Sequence, residues 1–131
     1  MRQAALFLTL SIAAAPVMAQ SSAAQQSSDA TAIVASLKSQ LRNLVSAQES
    51  YYADRSTYTN SLKALGYKAA EGAVIMVFRA DNRGWAGRAV HPGFTGKSCV
   101  IWVGRDELAT QVKTDAEQTS GQEGAPTCDA P

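Results

Sequence analysis

The fold is decided by residues 30–53, which read ATAIVASLKSQLRNLVSAQESYYA. At 100° per residue, the large apolar side chains of this stretch fall within a sector of about 120°, the pattern of an amphipathic helix. No Gly or Pro interrupts it, so we expect one helix of about six turns from Ala30 to Ala53, with Asp29 as its N-cap. This helix needs an apolar surface to cover. The sector contains Ile33, Val34, Leu37, Leu41, Leu44, Val45, Tyr51 and Tyr52.

Three later segments have the composition and alternation of β-strands. Ala73–Ala80 is rich in β-branched and aromatic residues, and the strong turn sequence Asp-Asn-Arg-Gly follows it at residues 81–84. We therefore expect Trp85–His91 to return antiparallel to the first strand. After a second turn rich in Pro and Gly, Ser98–Val103 supplies the third strand.

Two short helical segments complete the predicted fold. Ser61–Leu65 has the length of one helical turn and precedes Gly66, and Asp106–Lys113 follows the third strand. The predicted fold class is α+β, with a long N-terminal helix packed on a three- to four-stranded antiparallel β-meander. The C-terminal tail is polar and weakly patterned, and we expect a disulfide to hold it.

The first nineteen residues differ from the rest of the chain. Arg2 gives a positive start, Ala4–Ala15 is apolar, and a short break ends in Ala19. This order is typical of a secretory signal peptide, and the apolar run is shorter than the roughly 20 residues that a bilayer span requires. We predict a signal peptide over residues 1–19, a flexible lead over residues 20–28 and one domain over residues 29–131.

Export determines how the two cysteines are interpreted. Cys99 and Cys128 would both enter an oxidising compartment, periplasmic or extracellular, where thiols pair. Two cysteines allow one intramolecular connectivity, so we predict a Cys99–Cys128 disulfide that closes a loop of about 30 residues, worth about 3 to 4 kcal/mol. No histidine is near either cysteine in the sequence, which argues against a metal site there.

Several short motifs occur in a distinctive order along the helix and the strands. They are LRNL at 41–44, AQESYYAD at 47–54, STYT at 56–59, Gly84-Trp85, His91 and CVIWVG at 99–104. A long helix, a loop, a meander and a C-terminal disulfide loop, in this order, resemble the head region of type IV pilins and type II secretion pseudopilins. The resemblance extends over Leu37–Gly104, and it implies a protein that binds other components of an envelope assembly.

The N-terminal sequence departs from the pilin pattern. Pilins carry a Gly followed by an aromatic residue, a glutamate five residues into the mature chain, and a continuous apolar stem. Here the first acidic residue is Asp29, the first glutamate is Glu49, and the segment after the predicted signal peptide is polar. The resemblance therefore implies an exported pilin-like head without its stem, associated with a type IV pilus or a type II secretion-type assembly.

Composition and motifs argue against catalysis and against polyanionic partners. The 131-residue chain has 12 Lys plus Arg and 11 Asp plus Glu, so its charge gives no attraction for nucleic acid. His91 is the only histidine, and no nucleophile motif accompanies it. The pairs Asp106, Glu107 and Asp115, Glu117 lie in a polar tail, whereas paired catalytic carboxylates need burial and a cleft. The tail also has no close-spaced Asp ladder for calcium. We predict no enzyme activity, no cofactor and no metal site.

Protein partners are the binding class that remains. A sheet has two faces and one helix covers only one of them, so an apolar set on the other face would mark a partner surface. Alternation along the strands does not tell which face the helix covers. The predicted partner surface consists of Ile75, Val77, Val100, Trp102 and, in the turn before the third strand, Phe94.

Two other functions are consistent with the sequence. In the first, the N-terminal segment is not cleaved and the chain is a membrane-tethered pseudopilin, whereas cleavage would leave no stable membrane span. In the second, the chain is a small secreted ligand-binding protein or a hydrolase of unknown substrate that uses His91. The mass of the native N-terminus tests the first, and an activity lost in His91→Ala would support the second.

Overall fold

The computed structural model describes residues 18–131, with side chains from Ser22 onward. Its elements are the helix α1, Met18–Arg55; the strands β1, Val74–Phe78, β2, Trp85–Val90, and β3, Cys99–Val103; the helix α2, Leu108–Gln111; and the strand β4, Thr127–Cys128. A 3-10 turn, Pro92–Phe94, lies between β2 and β3. The predicted α+β class, with a long helix, an antiparallel sheet and a disulfide-tied tail, is confirmed.

The helix α1 begins earlier than the sequence predicted. It extends from Met18 to Arg55, so Asp29 lies inside the helix and does not cap it. Residues 20–28, predicted as a flexible lead, are helical because they contain neither Gly nor Pro, and their Ala and Gln residues readily propagate an existing helix. Of the predicted signal peptide, residues 1–17 lie outside the described residues.

The four strands form one antiparallel sheet in the order β1-β2-β3-β4, which is also their order along the chain. Asp81 organises the turn between β1 and β2, since its Oδ1 accepts hydrogen bonds from the backbone N–H groups of Arg83, at 2.7 Å, and Gly84, at 3.1 Å. The bond from Arg83 lowers the pKa of Asp81 below its ordinary value because it favours the charged carboxylate, and the nearby Arg105 guanidinium acts in the same direction. β1 and β2 pair antiparallel across this turn, so the predicted hairpin is confirmed.

The main core lies between α1 and one face of the sheet. Strand pairing aligns Ile75 with Ala89 and Ala89 with Cys99, so these three side chains share the face under α1. This face is the apolar surface that the amphipathic pattern of the helix required. The buried residues of this core are Val34, Leu37, Leu41 and Leu44 from α1, together with Ile75, Trp85, Ala89, Phe94, Cys99, Ile101 and Val103.

The C-terminal segment covers the opposite face of the sheet. Ala86 is aligned with Trp102 on this face, and the indole Nε1 of Trp102 donates a hydrogen bond to the backbone carbonyl oxygen of Ser120 in the tail. The weakly patterned tail therefore closes a second, smaller core. Its buried members are Ala86, Val100, Trp102, Leu108 and Val112.

The predicted disulfide is confirmed and joins the two last strands of the sheet. Cys99 in β3 and Cys128 in β4 are bonded, 29 residues apart in the sequence. The same two residues are directly opposite each other in the register of the β3–β4 pair. The covalent bond therefore reinforces a strand that is only two residues long.

Candidate functional site

The N-terminal part of α1 projects beyond the sheet. The side chains from Ser22 to Ala32 are exposed, apart from a half-buried Ala30, and the first buried side chain of the helix is Val34. Residues 18–29 alone account for about 18 Å of helix. We call residues 18–32 the projecting segment. From Ser22 to Asp29 it is a continuous run of exposed helix.

Over residues 19–28, the projecting segment is uncharged and built from small and amide side chains. Residues 19–28 are all Ala, Gln or Ser. The buried stripe of α1, continued from Val34 toward the N-terminus at the same spacing, passes through Ala30, Ser27 and Ala23. Small side chains along one line allow the axis of a second helix to approach closely. The segment therefore presents a surface suited to helix packing.

A groove of about 270 Å³ lies where the projecting segment meets the domain. Ala30 of α1 and the C-terminal residue Pro131 both line it. The Nζ of Lys97 donates a 2.6 Å hydrogen bond to the backbone carbonyl oxygen of Ala130, and it lies 5.5 Å from the centre of the Phe94 ring. These contacts hold the end of the chain against the root of the projecting segment.

The structure overturns the predicted partner surface. Ile75 (6% exposed) and the half-buried Val77 face α1, whereas Val100 (1% exposed) and Trp102 (4% exposed) face the C-terminal tail. The prediction combined residues from opposite faces, because the register aligns Ile75 with Cys99 through β2 and not with Val100. Both faces of the sheet are covered, so neither is open to a partner at these residues.

Phe94, the fifth residue of the predicted surface, is also buried, at 3% exposure. It ends the 3-10 turn and packs into the main core with α1. His91 precedes this turn, and its Nδ1 accepts a 3.0 Å hydrogen bond from the backbone N–H of Gly93. The imidazole therefore caps a turn in this structure, and the hydrolase alternative that uses His91 stays a prediction.

The exposed large hydrophobic side chains of the described chain are Val74, 52% exposed, and Met76, 45% exposed. Both lie on β1 and on the sheet face away from α1, because alternate strand residues point to opposite faces and Ile75 points toward α1. β1 is an edge strand, since it pairs with β2 alone. We call residues 74–78 the β1 edge, and it is the second uncovered surface.

A third surface lies at the C-terminal end of α1. Tyr51 and Asp54 line an open groove of about 320 Å³ there. On the same end of the helix, the Tyr58 hydroxyl donates a 3.0 Å hydrogen bond to Oε1 of Glu49, and its ring centre lies 4.6 Å from that of Tyr52. Burial, together with the bond to the anionic Glu49, raises the pKa of Tyr58 to about 12. The phenol is therefore protonated at neutral pH and acts as a hydrogen-bond donor.

Gln48 is a buried residue that the sequence analysis did not identify. Its Nε2 donates a 2.6 Å hydrogen bond to the carbonyl oxygen of Thr59, and its Oε1 accepts a 3.1 Å bond from the Thr59 N–H. Gln48 continues the buried stripe of α1 four residues beyond Leu44. That spacing is the sequence signal by which its burial could have been predicted. The amide fixes the loop that follows the helix.

Asp129 is a buried carboxylate in the C-terminal tail, 2% exposed. It accepts hydrogen bonds from the Ser98 N–H, at 2.9 Å, from the Thr114 hydroxyl, and from the Ala116 N–H, at 3.3 Å. Burial raises the pKa of this carboxyl, but the hydrogen bonds outweigh burial and the pKa is lowered below its ordinary value. Its partners are 13 to 31 residues away in the sequence, so no local pattern indicated them.

The acidic residues of the tail form ion pairs. Asp115 contacts Arg88, and Glu117 lies 3.2 Å from the Nζ of Lys113.

Over residues 18–131, no group of three or more His, Cys, Asp and Glu side chains is arranged to hold a metal ion. In the same range, no helix combines the length and the apolar character needed to cross a bilayer.

Comparison of the chain with known protein families and with curated proteins found no match. The surfaces are therefore interpreted from their own geometry. The projecting segment presents a helix surface and the β1 edge presents a row of backbone groups, and both are forms that proteins use to bind other proteins. These two surfaces are the candidate functional site.

Proposed function

We propose that the chain is an exported, pilin-like structural and binding protein that joins a type IV pilus or type II secretion-type assembly through the projecting segment. One observation carries the proposal: α1 lies on the sheet from Ile33 onward, while the helix before it has exposed side chains from Ser22 to Asp29. The helix is longer than the packing of its own domain requires. Its extra length places a recognition surface outside that domain. The assembly partner would bind this surface and leave the sheet undisturbed.

The physical chemistry of the projecting segment favours a partner. Isolated helices shorter than about 12 to 15 residues are marginal in water, so an uncovered helical extension gains stability when another surface packs on it. Its surface carries no charge over residues 19–28, so a partner does not have to desolvate ions. The line of Ala23, Ser27 and Ala30 would allow a partner helix to pack closely.

Two further features support export and the pilin-like class. The Cys99–Cys128 disulfide is compatible with an oxidising compartment, such as the periplasm or the exterior of the cell. The order of a long helix, a loop, an antiparallel meander and a disulfide-tied tail is the order that the sequence motifs share with pilin heads. Both features are consistent with the proposed location and class.

The proposal is tested by site-specific photo-crosslinking in cells of the native organism. A photoreactive residue in place of Gln25, on the projecting segment, should crosslink to an envelope protein, whereas one in place of the exposed Thr110 on α2 should not. The substitution Ala23→Lys should abolish the Gln25 crosslink, because a long charged side chain keeps a partner helix away. Ala35→Lys is the matched control. Ala35 is an exposed residue of the same helix, in the part of α1 that packs on the sheet. Equal crosslinks from Gln25 and Thr110, or none from Gln25, would contradict the proposal.

A second candidate is a membrane-tethered pseudopilin that keeps its N-terminal segment. The observation that favours it is the continuity of α1 through the predicted cleavage position between Ala19 and Gln20. Intact mass and N-terminal sequencing of the native protein distinguish the two. A chain that begins at Gln20 has been cleaved, and a chain that begins at Met1 keeps its apolar segment.

A further inference from the structure

We propose that the β1 edge is a self-association surface, on which β1 of one copy pairs antiparallel with β1 of a second copy. The two four-stranded sheets would then form one continuous sheet of eight strands. This proposal is independent of the projecting segment, and the occupant of the edge is a second copy of the same chain. Backbone groups, apolar side chains and charges at this edge all favour the pairing.

The sequence of β1 lacks the residues that normally protect an edge strand. Its sequence is VIMVF, with no charge, no Gly and no Pro. Native sheets block exposed edges with Lys, Pro, bulges or a covering loop. Among the described residues, no hydrogen bond joins the backbone of residues 74–78 to any residue outside β2. The outward-pointing N–H and C=O groups of β1 are therefore available to another strand.

The exposed side chains of the edge are complementary to those of a second copy. Antiparallel pairing keeps the two apolar faces continuous only if outward residues of one copy oppose outward residues of the other. A register centred on Ile75 meets this condition and places Val74 of each copy opposite Met76 of the other. The two exposed large hydrophobic side chains would then cover each other across the two strands.

Charges at the two ends of β1 favour antiparallel pairing. The exposed Glu71 lies in the turn before β1 and the exposed Arg79 follows β1, so antiparallel pairing brings the Glu71 end of one copy to the Arg79 end of the other. In the described chain the Arg79 guanidinium bonds to the neutral amide of Gln111, so its charge has no carboxylate partner there.

The geometry of this pairing sets the expected strength and symmetry. A two-fold axis perpendicular to the sheet relates the copies, so both α1 helices lie on the same face of the continuous sheet. A five-residue strand pair buries little surface, so we expect a weak dimer. Such a dimer would be populated where the protein is locally concentrated.

Sedimentation equilibrium of the purified chain tests the proposal. We expect a monomer–dimer equilibrium that Met76→Lys weakens by at least about tenfold, because a lysine on an edge strand opposes strand pairing. Thr110→Lys, at an exposed position on α2, is the matched control and should leave dimerisation unchanged. Hydrogen exchange of the β1 backbone N–H groups should slow as the protein concentration rises.

Charge reversal tests the antiparallel orientation of the pairing. Glu71→Arg and Arg79→Glu should each weaken the dimer, and the double variant Glu71→Arg/Arg79→Glu should restore it, since the opposite charges are then exchanged. A wild-type chain that stays monomeric at about 1 mM overturns the proposal. A dimer that Met76→Lys leaves intact also overturns the proposal. If Ala23→Lys abolishes the dimer and Met76→Lys does not, the dimer contact lies on the projecting segment and the proposal is likewise overturned.

Discussion

The backbone N–H of Ser98 donates a 2.9 Å hydrogen bond to Oδ2 of Asp129, 31 residues later in the chain. The N–H of Asp129 returns a 3.0 Å bond to the carbonyl oxygen of Ser98. This pair lies next to the Cys99–Cys128 disulfide and extends the β3–β4 pairing by one position. The tail is therefore fastened to β3 by a covalent bond and by a buried carboxylate at adjacent positions.

Asp129→Asn should destabilise the protein by about 2 kcal/mol at neutral pH, because an amide cannot replace a carboxylate that accepts several hydrogen bonds. The folded pKa of Asp129 lies below its ordinary value of 3.8, so its stabilising contribution is present above about pH 4 and is lost as the pH falls through the folded pKa. Urea unfolding at neutral pH and near pH 3 measures the difference. Asp106→Asn, at an exposed position, is the control.

Equal pH dependence of stability in the wild-type chain and Asp129→Asn would contradict this prediction, since the variant has lost the titrating group. The expected result is a variant whose unfolding free energy falls less than that of the wild type between neutral pH and about pH 3.

Gln48→Ala should cost about 2 kcal/mol of unfolding free energy, because it leaves both backbone groups of Thr59 without their partner. Gln26→Ala removes the same side chain from an exposed position of the same helix and should change stability by less than about 0.5 kcal/mol. Thermal and urea unfolding, followed by circular dichroism, measure both variants. A similar loss in both would show that helix propensity, and not the Thr59 contact, determines the effect.

Removal of the disulfide should lower the free energy of unfolding by about 3 kcal/mol, since the bond closes a loop between residues that are 29 positions apart. The double variant Cys99→Ala/Cys128→Ala and the reduced wild-type chain should show similar losses in urea unfolding. Because the β3–β4 pair is short, the tail should also exchange its backbone protons faster in the variant. Unchanged stability on reduction would contradict the prediction.

Gly104→Ala should destabilise the fold by more than about 2 kcal/mol. Gly104 has φ +98°, and an added Cβ would lie 2.1 Å from the carbonyl oxygen of Arg83. Gly66→Ala is the matched control, because Gly66 also has a positive φ, of +62°, but an added Cβ meets no atom within 4 Å. It should cost only about 1 kcal/mol, from backbone strain alone. Thermal unfolding of the two variants measures the difference. Gly66→Ala reports the cost of backbone strain alone, and Gly104→Ala reports that cost plus the steric clash with Arg83.

The parts of the fold that follow from local patterns could be predicted from the sequence. The apolar sector from Ile33 to Val45 predicted the face of α1, and the turn at residues 81–84 predicted the first hairpin. The helix start could not be predicted in the same way, because the Ala, Gln and Ser residues before Asp29 have no apolar stripe that would indicate packing.

The candidate surfaces depend on long-range register, which alternation alone does not provide. Alternation along β3 correctly placed Val100 and Cys99 on opposite faces of the sheet. It did not show which residues of β1 lie on the same face as either of them. The tail that covers Val100 and Trp102 is polar in sequence, and it buries only a few apolar side chains at wide spacing. The sequence therefore indicated an open face where the structure has a second core.

The position of Pro131 has a practical consequence for labelling this protein. The C-terminal residue lines the same groove as Ala30, where the projecting segment leaves the domain. A fluorescent protein or affinity tag fused after Pro131 would emerge beside that root and obstruct any molecule docking along the helix. An internal label near Gly121, where an added side-chain atom meets nothing within 4 Å, would leave the approach open.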